Sequence, residues 1–254
     1  SCSKSDKIIV EKQLKGEEWY ATYACANGDV SLLALNAMYA QPGEPKNCYT
    51  VTTTVSRHVK RFCNDVNPKV EELLKEVGCT DGIVWVQFML DEDDKFYIIE
   101  MGYRMDGEMM FMPYKDLLGF DTIKWLVETA LGIEHDKSQL PAPQTEAFTK
   151  TATGMELWTN KEGTVTKLVG YDEIAKLPGV FVENLKQPGD KAMKYRPVGV
   201  ITFATDTFEE MADIIKKVNE TVHCCNENGE DMIIKYTDFD YLKRIYDEGL
   251  KENA

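Results

Sequence analysis

Apolar and polar positions along the chain follow two different periods, and each period marks an element. Residues 7–14 (KIIVEKQL) are rich in β-branched side chains and predict a strand that Gly16 breaks. Residues 19–25 (WYATYAC) resume the pattern. Asn27-Gly28 supplies a tight turn tolerant of positive φ, and the strand pattern returns over 30–39. After a loop-like stretch at 40–47 (AQPGEPKN), residues 48–56 (CYTVTTTVS) predict a further strand. The period then changes. Asn67 can cap a helix and Pro68 suits its first turn. Val70, Leu73, Leu74 and Val77 share one face, and Gly78 closes it. Strands over 83–90 and 95–101 follow, then a helix over 121–131 that Gly132 stops.

Residues 134–150 hold two prolines and no periodicity, which predicts a boundary. Beyond it lie short strand patterns at 155–159, 164–169, 180–184 and 198–204. A helix over 208–221 opens with a capping box from Thr207 and Glu210, and Phe208, Met211, Ala212, Ile215 and Val218 form its apolar stripe. Asn228-Gly229 predicts a hairpin of 222–225 with 232–236, and a charged helix ends the chain. The fold class expected is α+β, a mostly antiparallel sheet with flanking helices over 1–140 and a smaller α+β domain over 148–254.

Charge narrows the partners. The 254 residues carry 29 Lys and Arg against 43 Asp and Glu, a net charge of -14. That field opposes nucleic acid and anionic membranes, and a polyanion needs a local basic patch or a divalent metal to bind. The only dense basic cluster is Ser56-Arg57-His58-Val59-Lys60-Arg61, either a phosphate site or a solvated loop. Seven cysteines, odd in number and irregular in spacing, predict reduced thiols and a cytoplasmic setting. No apolar run approaches the roughly 18 residues that span a bilayer. Because Ser1 leads straight into a strand-like run, the chain reads as a piece of something longer.

The segment 82–107 (GIVWVQFMLDEDDKFYIIEMGYRMDG) carries the most chemistry. A two-residue loop at Asp93-Asp94 would set Leu90 opposite Tyr97 and Gln87 opposite Glu100. Opposite side chains share a face, with Cβ atoms about 4.5–5.5 Å apart. An amide oxygen and a carboxylate at that spacing suit one hard divalent ion, Mg²⁺ best. Period two carries the same face to Arg104, whose fork of donors suits phosphate or carboxylate. The competing reading is a satisfied polar pair with Arg104 as its ion-pair partner. A carboxylate ending the apolar run FYIIE favours the metal, since burial of an unpaired charge is costly.

With its Q…E-x-x-x-R pattern, this hairpin resembles the metal-binding core of ATP-grasp ligases, the superfamily of carbamoyl phosphate synthetase and biotin carboxylase. Upstream, Val10-Glu11-Lys12-Gln13-Leu14 and Gly16-Glu17-Glu18-Trp19 resemble that family's adenine-hinge strand and the acidic residue after it. The resemblance implies that Glu11 accepts from the adenine amino group, that the backbone of Lys12, Gln13 and Leu14 meets the ring, and that Glu18 holds the ribose. It further implies Mg²⁺ on Gln87 and Glu100 and a phosphate or substrate carboxylate on Arg104. Residues 148–254 resemble the accessory domain that follows such cores. Two departures stand out. The family's Asn two residues after the metal-binding Glu is Gly102 here, and the glycine-rich phosphate loop and lysines that precede the hinge are absent from these 254 residues.

The resemblance implies ATP and Mg²⁺ as cofactors, a small-molecule carboxylate and an amine as substrates, and an acyl-phosphate intermediate. A homodimer is compatible with it. The alternatives are a carbamoyl-phosphate-synthetase-like phosphorylation of a small carboxylate, and a non-catalytic binding or dimerisation module. The enzymatic reading places activity in a complete protein and expects this chain alone to be inactive.

Overall fold

A computed structural model of the chain describes residues 8, 10–55 and 57–253. Eight strands build one antiparallel sheet: β1 (Gly16–Ala26), β2 (Asp29–Ala40), β3 (Tyr49–Thr54), β4 (Gly82–Asp91), β5 (Phe96–Gly102), β6 (Thr151–Trp158), β7 (Phe181–Asn184) and β8 (Pro197–Thr205). Their spatial order is β5-β4-β1-β2-β3-β6-β8-β7. Strands from before and after residues 134–150 thus share the sheet, joined where Thr52 and Thr53 of β3 pair with Gly154 and Thr153 of β6. Five helices of eight or more residues flank it: α1 (Asn67–Glu76), α2 (Phe111–Leu118), α3 (Thr122–Ala130), α4 (Phe208–Thr221) and α5 (Phe239–Asn253).

One face of the sheet carries the main core. Trp19, Tyr23, Val86, Phe88, Ile201 and Phe203 pack there against Phe62, Val70 and Leu74 on one side and Met211, Ile215 and Leu242 on the other. On the opposite face, α3 brings Trp125 onto Ala24, Leu33 and Ile83, while α2 brings Tyr114 onto Ala34 and Ala152. Helix α2 falls in the methionine-rich run after Gly107, where no helix was expected. The rest of that face, toward the start of β1 and the end of β6, is polar.

Several expectations need correction. Lys7 and Ile9 lie outside the described residues, and residues 10–15 carry no secondary structure. β1 already has β2 and β4 on its two sides, so no free ladder remains there to receive another strand. Gly16 begins β1 instead of breaking a strand. It sits opposite Asp91 so closely that a Cβ would lie 1.9 Å from the Leu90 carbonyl oxygen. Asn67 does not cap α1. A helical run starts at Val59, makes a π turn over Phe62–Val66 and continues through Asn67. The Asn67 side chain instead accepts the Tyr23 hydroxyl at 2.9 Å and donates to Glu71 at 2.7 Å. The turn at Asn228-Gly229 does bring Asp231 onto Cys225, and the Met232 N–H donates to the Cys224 carbonyl at 2.9 Å, but the pairing goes no further: 232–236 forms no strand, and His223–Cys225 pairs on its other side with Lys167–Val169. The Asn27-Gly28 turn and the Thr207–Glu210 capping box form as expected, whereas α3 starts one residue later than expected, with the Asp121 side chain capping it by accepting from the Lys124 N–H.

Candidate active site

Strand pairing lays the polar face out as three rungs. The first runs Thr52, Met38, Glu18, Met89, Tyr97; the second Thr54, Asn36, Tyr20, Gln87, Glu100; the third Ala34, Thr22, Trp85, Gly102. Gln87 therefore stands opposite Glu100, but by a different route from the one expected. The turn is one residue longer: Asp91 N–H donates to the Lys95 carbonyl at 3.0 Å, and Asp94 adopts a left-handed conformation. Leu90 faces Phe96 and Met89 faces Tyr97, which by itself would set Glu100 opposite Val86. An extra residue between the pairs Phe88–Ile98 and Gln87–Glu100 shifts the register back.

Gln87 Nε2 donates to Glu18 Oε2 at 2.8 Å, and the Tyr49 hydroxyl donates to the same oxygen. That leaves the Gln87 amide oxygen as an acceptor beside Glu100. Glu100 is exposed and, among the described residues, makes no hydrogen bond or ion pair. Arg104 lies beyond the end of β5, where Tyr103 fixes the chain by donating to the Asp81 carbonyl at 2.6 Å and accepting its N–H at 2.9 Å. The Arg104 guanidinium is not an ion-pair partner of Glu100. It lies over the Trp85 ring, 5.1 Å from the centroid, and donates to the Met105 carbonyl at 2.7 Å.

These positions test the site for metal. Gln87 and Glu100 offer two oxygen donors on one face, enough for a single Mg²⁺ completed by water or phosphate oxygens. Among the described residues no group of three or more His, Cys, Asp and Glu is arranged to hold a metal ion. The residues fit one ion.

The hinge residues Glu11, Lys12, Gln13 and Leu14 carry no secondary structure, and the last three lie near the tip of the β4–β5 hairpin. Lys12, Gln13 and Leu14 border a cavity of about 280 Å³ there with Asp91, Glu92 and Asp93. Glu18 is engaged at Gln87 and Tyr49 and also lines a separate cavity of about 230 Å³ with Lys46 and Tyr236. The structure thus brings Glu18, Gln87 and Glu100 together and leaves Arg104 a rung away.

The basic cluster is not a free anion site. Ser56 lies outside the described residues. Arg57 pairs with Glu17 and, at 3.3 Å, with Glu248 of α5. His58 sits 3.2 Å from Glu252 of the same helix and 3.8 Å from Asp94. Arg61 lies over the Phe96 ring at 5.2 Å. These side chains fasten the C-terminal helix and the hairpin to β1.

Sequence reasoning missed a cluster of carboxyls, Glu108 buried and Asp106 and Glu156 half-buried. The loop after Arg104 folds over the polar face, so that Glu108 receives the Tyr20 hydroxyl at 3.0 Å. Burial and then the neighbouring Glu156 and Asp106 charges push the Glu108 carboxyl well above its ordinary range. Burial likewise raises Asp106 to about 6 and Glu156 to about 7, Glu156 against the opposing pull of the Trp158 indole N–H, which donates to it at 2.8 Å. The available signal was a charged residue inside the apolar run MDGEMMFM. Elsewhere, His223, Cys224 and Cys225 are structural: His223 Nδ1 meets Asp231 at 2.7 Å, and the six described cysteines are free thiols.

No family model matches the chain, and no curated protein sequence does. Solved structures do. An L-amino acid ligase from Bacillus licheniformis matches with a TM-score of 0.69 at 19% identity, over 85% of this chain and 53% of its own. The biotin carboxylase domain dimer of Hydrogenobacter thermophilus 2-oxoglutarate carboxylase, in complex with MgADP and bicarbonate, gives 0.59 at 15% identity, over 86% and 46%. A phosphoribosylglycinamide synthetase from Anaerococcus prevotii gives 0.64 at 16% identity, over 85% and 55%. The fold is that of the ATP-grasp enzymes. The chain spans about half the length of these structures. Among the described residues, no helix is long and apolar enough to cross a membrane.

Proposed function

We propose that this chain supplies the metal and adenine side of an ATP-dependent carboxylate–amine ligase. The observation that carries the reading is the pairing of Gln87 with Glu100 on the open polar face of an ATP-grasp sheet. In the proposed reaction a carboxylate oxygen attacks the γ-phosphorus of ATP. The bond to the bridging oxygen breaks, and ADP leaves with its electron pair. The nitrogen of an amine then attacks the acyl carbon and expels phosphate, leaving an amide.

Gln87 and Glu100 would hold one Mg²⁺, which neutralises phosphate charge when bound. Glu18 engages the Gln87 amide N–H through the 2.8 Å hydrogen bond, leaving the amide oxygen for the metal, and remains the candidate for the ribose hydroxyls. Glu11 and the backbone of Lys12, Gln13 and Leu14 would meet the adenine beside the hairpin tip. Arg104 would take the phosphate or the substrate carboxylate. Positioning and charge neutralisation supply the rate, with no nucleophilic side chain required. Phosphate ligands beyond Arg104 would come from the remainder of a longer protein, so the chain alone would not turn ATP over. A cytoplasmic setting, small-molecule substrates and a possible homodimer belong to the same reading.

The test is ADP release by the complete protein, screened against amino acids and small carboxylates with Mg²⁺-ATP. Turnover that disappears in Glu100→Ala while the melting transition is kept supports the reading. Turnover of Glu100→Ala at the parent rate removes Glu100 from the site.

A further inference from the structure

Helix α3 turns much of its apolar surface away from the sheet. Its inner side holds Thr122 and Trp125, both buried, with Leu126 and Thr129 half-buried beside them. Trp125 packs on Ala24, Leu33 and Ile83, and the His135 ring stacks on it at 3.7 Å. Ile123, Val127, Ala130 and Leu131 recur at spacings of three and four and so form one stripe on the outer side. All four are exposed, Val127 to 53% and Leu131 to 73%. Helix α4, by contrast, buries all five members of its stripe. Past the end of α3, Gly132 is left-handed and the Ile133 N–H returns to the Glu128 carbonyl at 3.0 Å. That capping turn sets a further exposed apolar side chain, Ile133, beside the last turn of the helix. Lys124 and Glu128, 3.6 Å apart, border the stripe along one flank.

We propose that this stripe joins two copies of the chain, with α3 of one packed antiparallel on α3 of the other about a twofold axis at Val127. Charge selects a second copy as the occupant. A twofold axis lying in the interface, perpendicular to the helices, reverses their direction and keeps each flank on its own side. Val127 then meets its own image, and Ile123 meets Leu131 of the other copy. On the flank, Lys124 of each copy comes beside Glu128 of the other, so the flank is its own complement. A second copy thus supplies both the apolar surface and the matching charges at the matching spacing. Because α3 is only nine residues long, the patch is small for a permanent dimer, and the dissociation constant should be about 10–100 μM. None of these residues serves the proposed nucleotide or metal site, so the interface stands or falls apart from the ligase reading.

Sedimentation equilibrium on the chain between about 5 and 300 μM tests the interface. The parent should pass from monomer to dimer across that range. Val127→Asp places two carboxylates at the twofold axis and should leave a monomer throughout. Val127 is exposed, so the fold is kept, and a thermal melt on the same sample checks that. Lys124→Glu and Glu128→Lys should each weaken self-association by about tenfold, because each sets like charges across the interface. Mixed in equal amounts, the two variants present opposite charges to each other at both contacts and should dimerise at the parent affinity. A defect within one chain's own helix is not cured by mixing, so recovery assigns the contact to the two copies. A parent that stays monomeric at about 300 μM overturns the proposal and gives the face to a different partner. Dimerisation that survives Val127→Asp overturns it by placing the contact elsewhere on the chain. Mixed variants that stay monomeric overturn the twofold pairing on which it rests.

Discussion

Gln87 lies directly opposite Glu100 because the β4–β5 ladder takes in one extra residue, Ile99, beside it. The bulge splits β5 between two environments. Phe96 and Ile98 fall on the face of Leu90 and Phe88, whereas Glu100 and Gly102 fall on the face of Gln87 and Trp85. A regular ladder from the same turn would aim the Glu100 carboxylate at the side of the sheet that holds Val86 and the main core. Bulges of this kind re-aim side chains, and here the result is an exposed carboxylate beside a constrained amide.

Glu100→Gln should therefore weaken Mn²⁺-ADP binding by about ten- to a hundredfold, the range for losing one charged contact. The fold should be untouched, since Glu100 is exposed without a partner among the described residues, and melting should shift by no more than about 2 °C. Calorimetric titration and a thermal melt on the same samples check both. Affinity within twofold of the parent would count decisively against a metal at this rung.

Much of the frame could be read from patterns whose physics is local. The capping box at Thr207 and the Asn27-Gly28 turn depend on residues a few positions apart, and both form. What could not be read depends on distant partners. Nothing near Lys7 says that β1 has both edges occupied, and nothing near Arg57 says that Glu248 will arrive from α5. The Gln87–Glu100 pairing was reached from a turn one residue too short, and the bulge cancels that offset. Glu108 was hidden for a related reason: its partners Tyr20 and Glu156 come from strands far along the chain.

Arg57 offers a stability test that also separates the two readings of the basic cluster. Its side chain is 12% exposed and that of Glu17 is 23% exposed. Burial alone would raise the Glu17 carboxyl, but the Arg57 guanidinium and the Tyr241 hydroxyl outweigh it and hold it below its usual value. Arg57→Ala strands that carboxylate and should cost about 3 kcal/mol, the scale for removing one partner of a buried pair. Melting should fall by about 6–10 °C. Pyrophosphate affinity should stay at the parent value, and a loss there would return the cluster to the list of phosphate ligands.

Asn67 joins the helical run to the sheet through a buried hydroxyl. Asn67→Ala leaves the Tyr23 hydroxyl, fully buried on β1, with no acceptor at that position. An unsatisfied buried donor costs about 1–3 kcal/mol. Tyr23→Phe together with Asn67→Ala removes both polar groups and should cost less than the sum of the two single changes. Urea unfolding of the four proteins measures the coupling, and strict additivity would show that the hydrogen bond contributes nothing.

Two half-buried carboxyls, Asp106 and Glu156, contribute a pH dependence of a definite sign. Burial raises Glu156 from an ordinary value of 4.5 to about 7 and Asp106 from 3.8 to about 6. The folded protein therefore holds protons that the unfolded chain has released between those limits. The stability contributed by these two groups is complete below about pH 4, falls as pH rises from about 4 to 7, and is gone above. The rise of Glu156 alone corresponds, at about 1.4 kcal/mol per pH unit, to a ceiling of about 3 kcal/mol. Glu156→Gln keeps a neutral side chain that still accepts the Trp158 indole N–H, so it should match the parent at pH 4 and exceed it at pH 7. Unfolding free energies measured by urea titration at half-unit steps from pH 4 to 8 give the two curves. Their difference should open between pH 5 and 7, and superimposable profiles would place the Glu156 proton elsewhere.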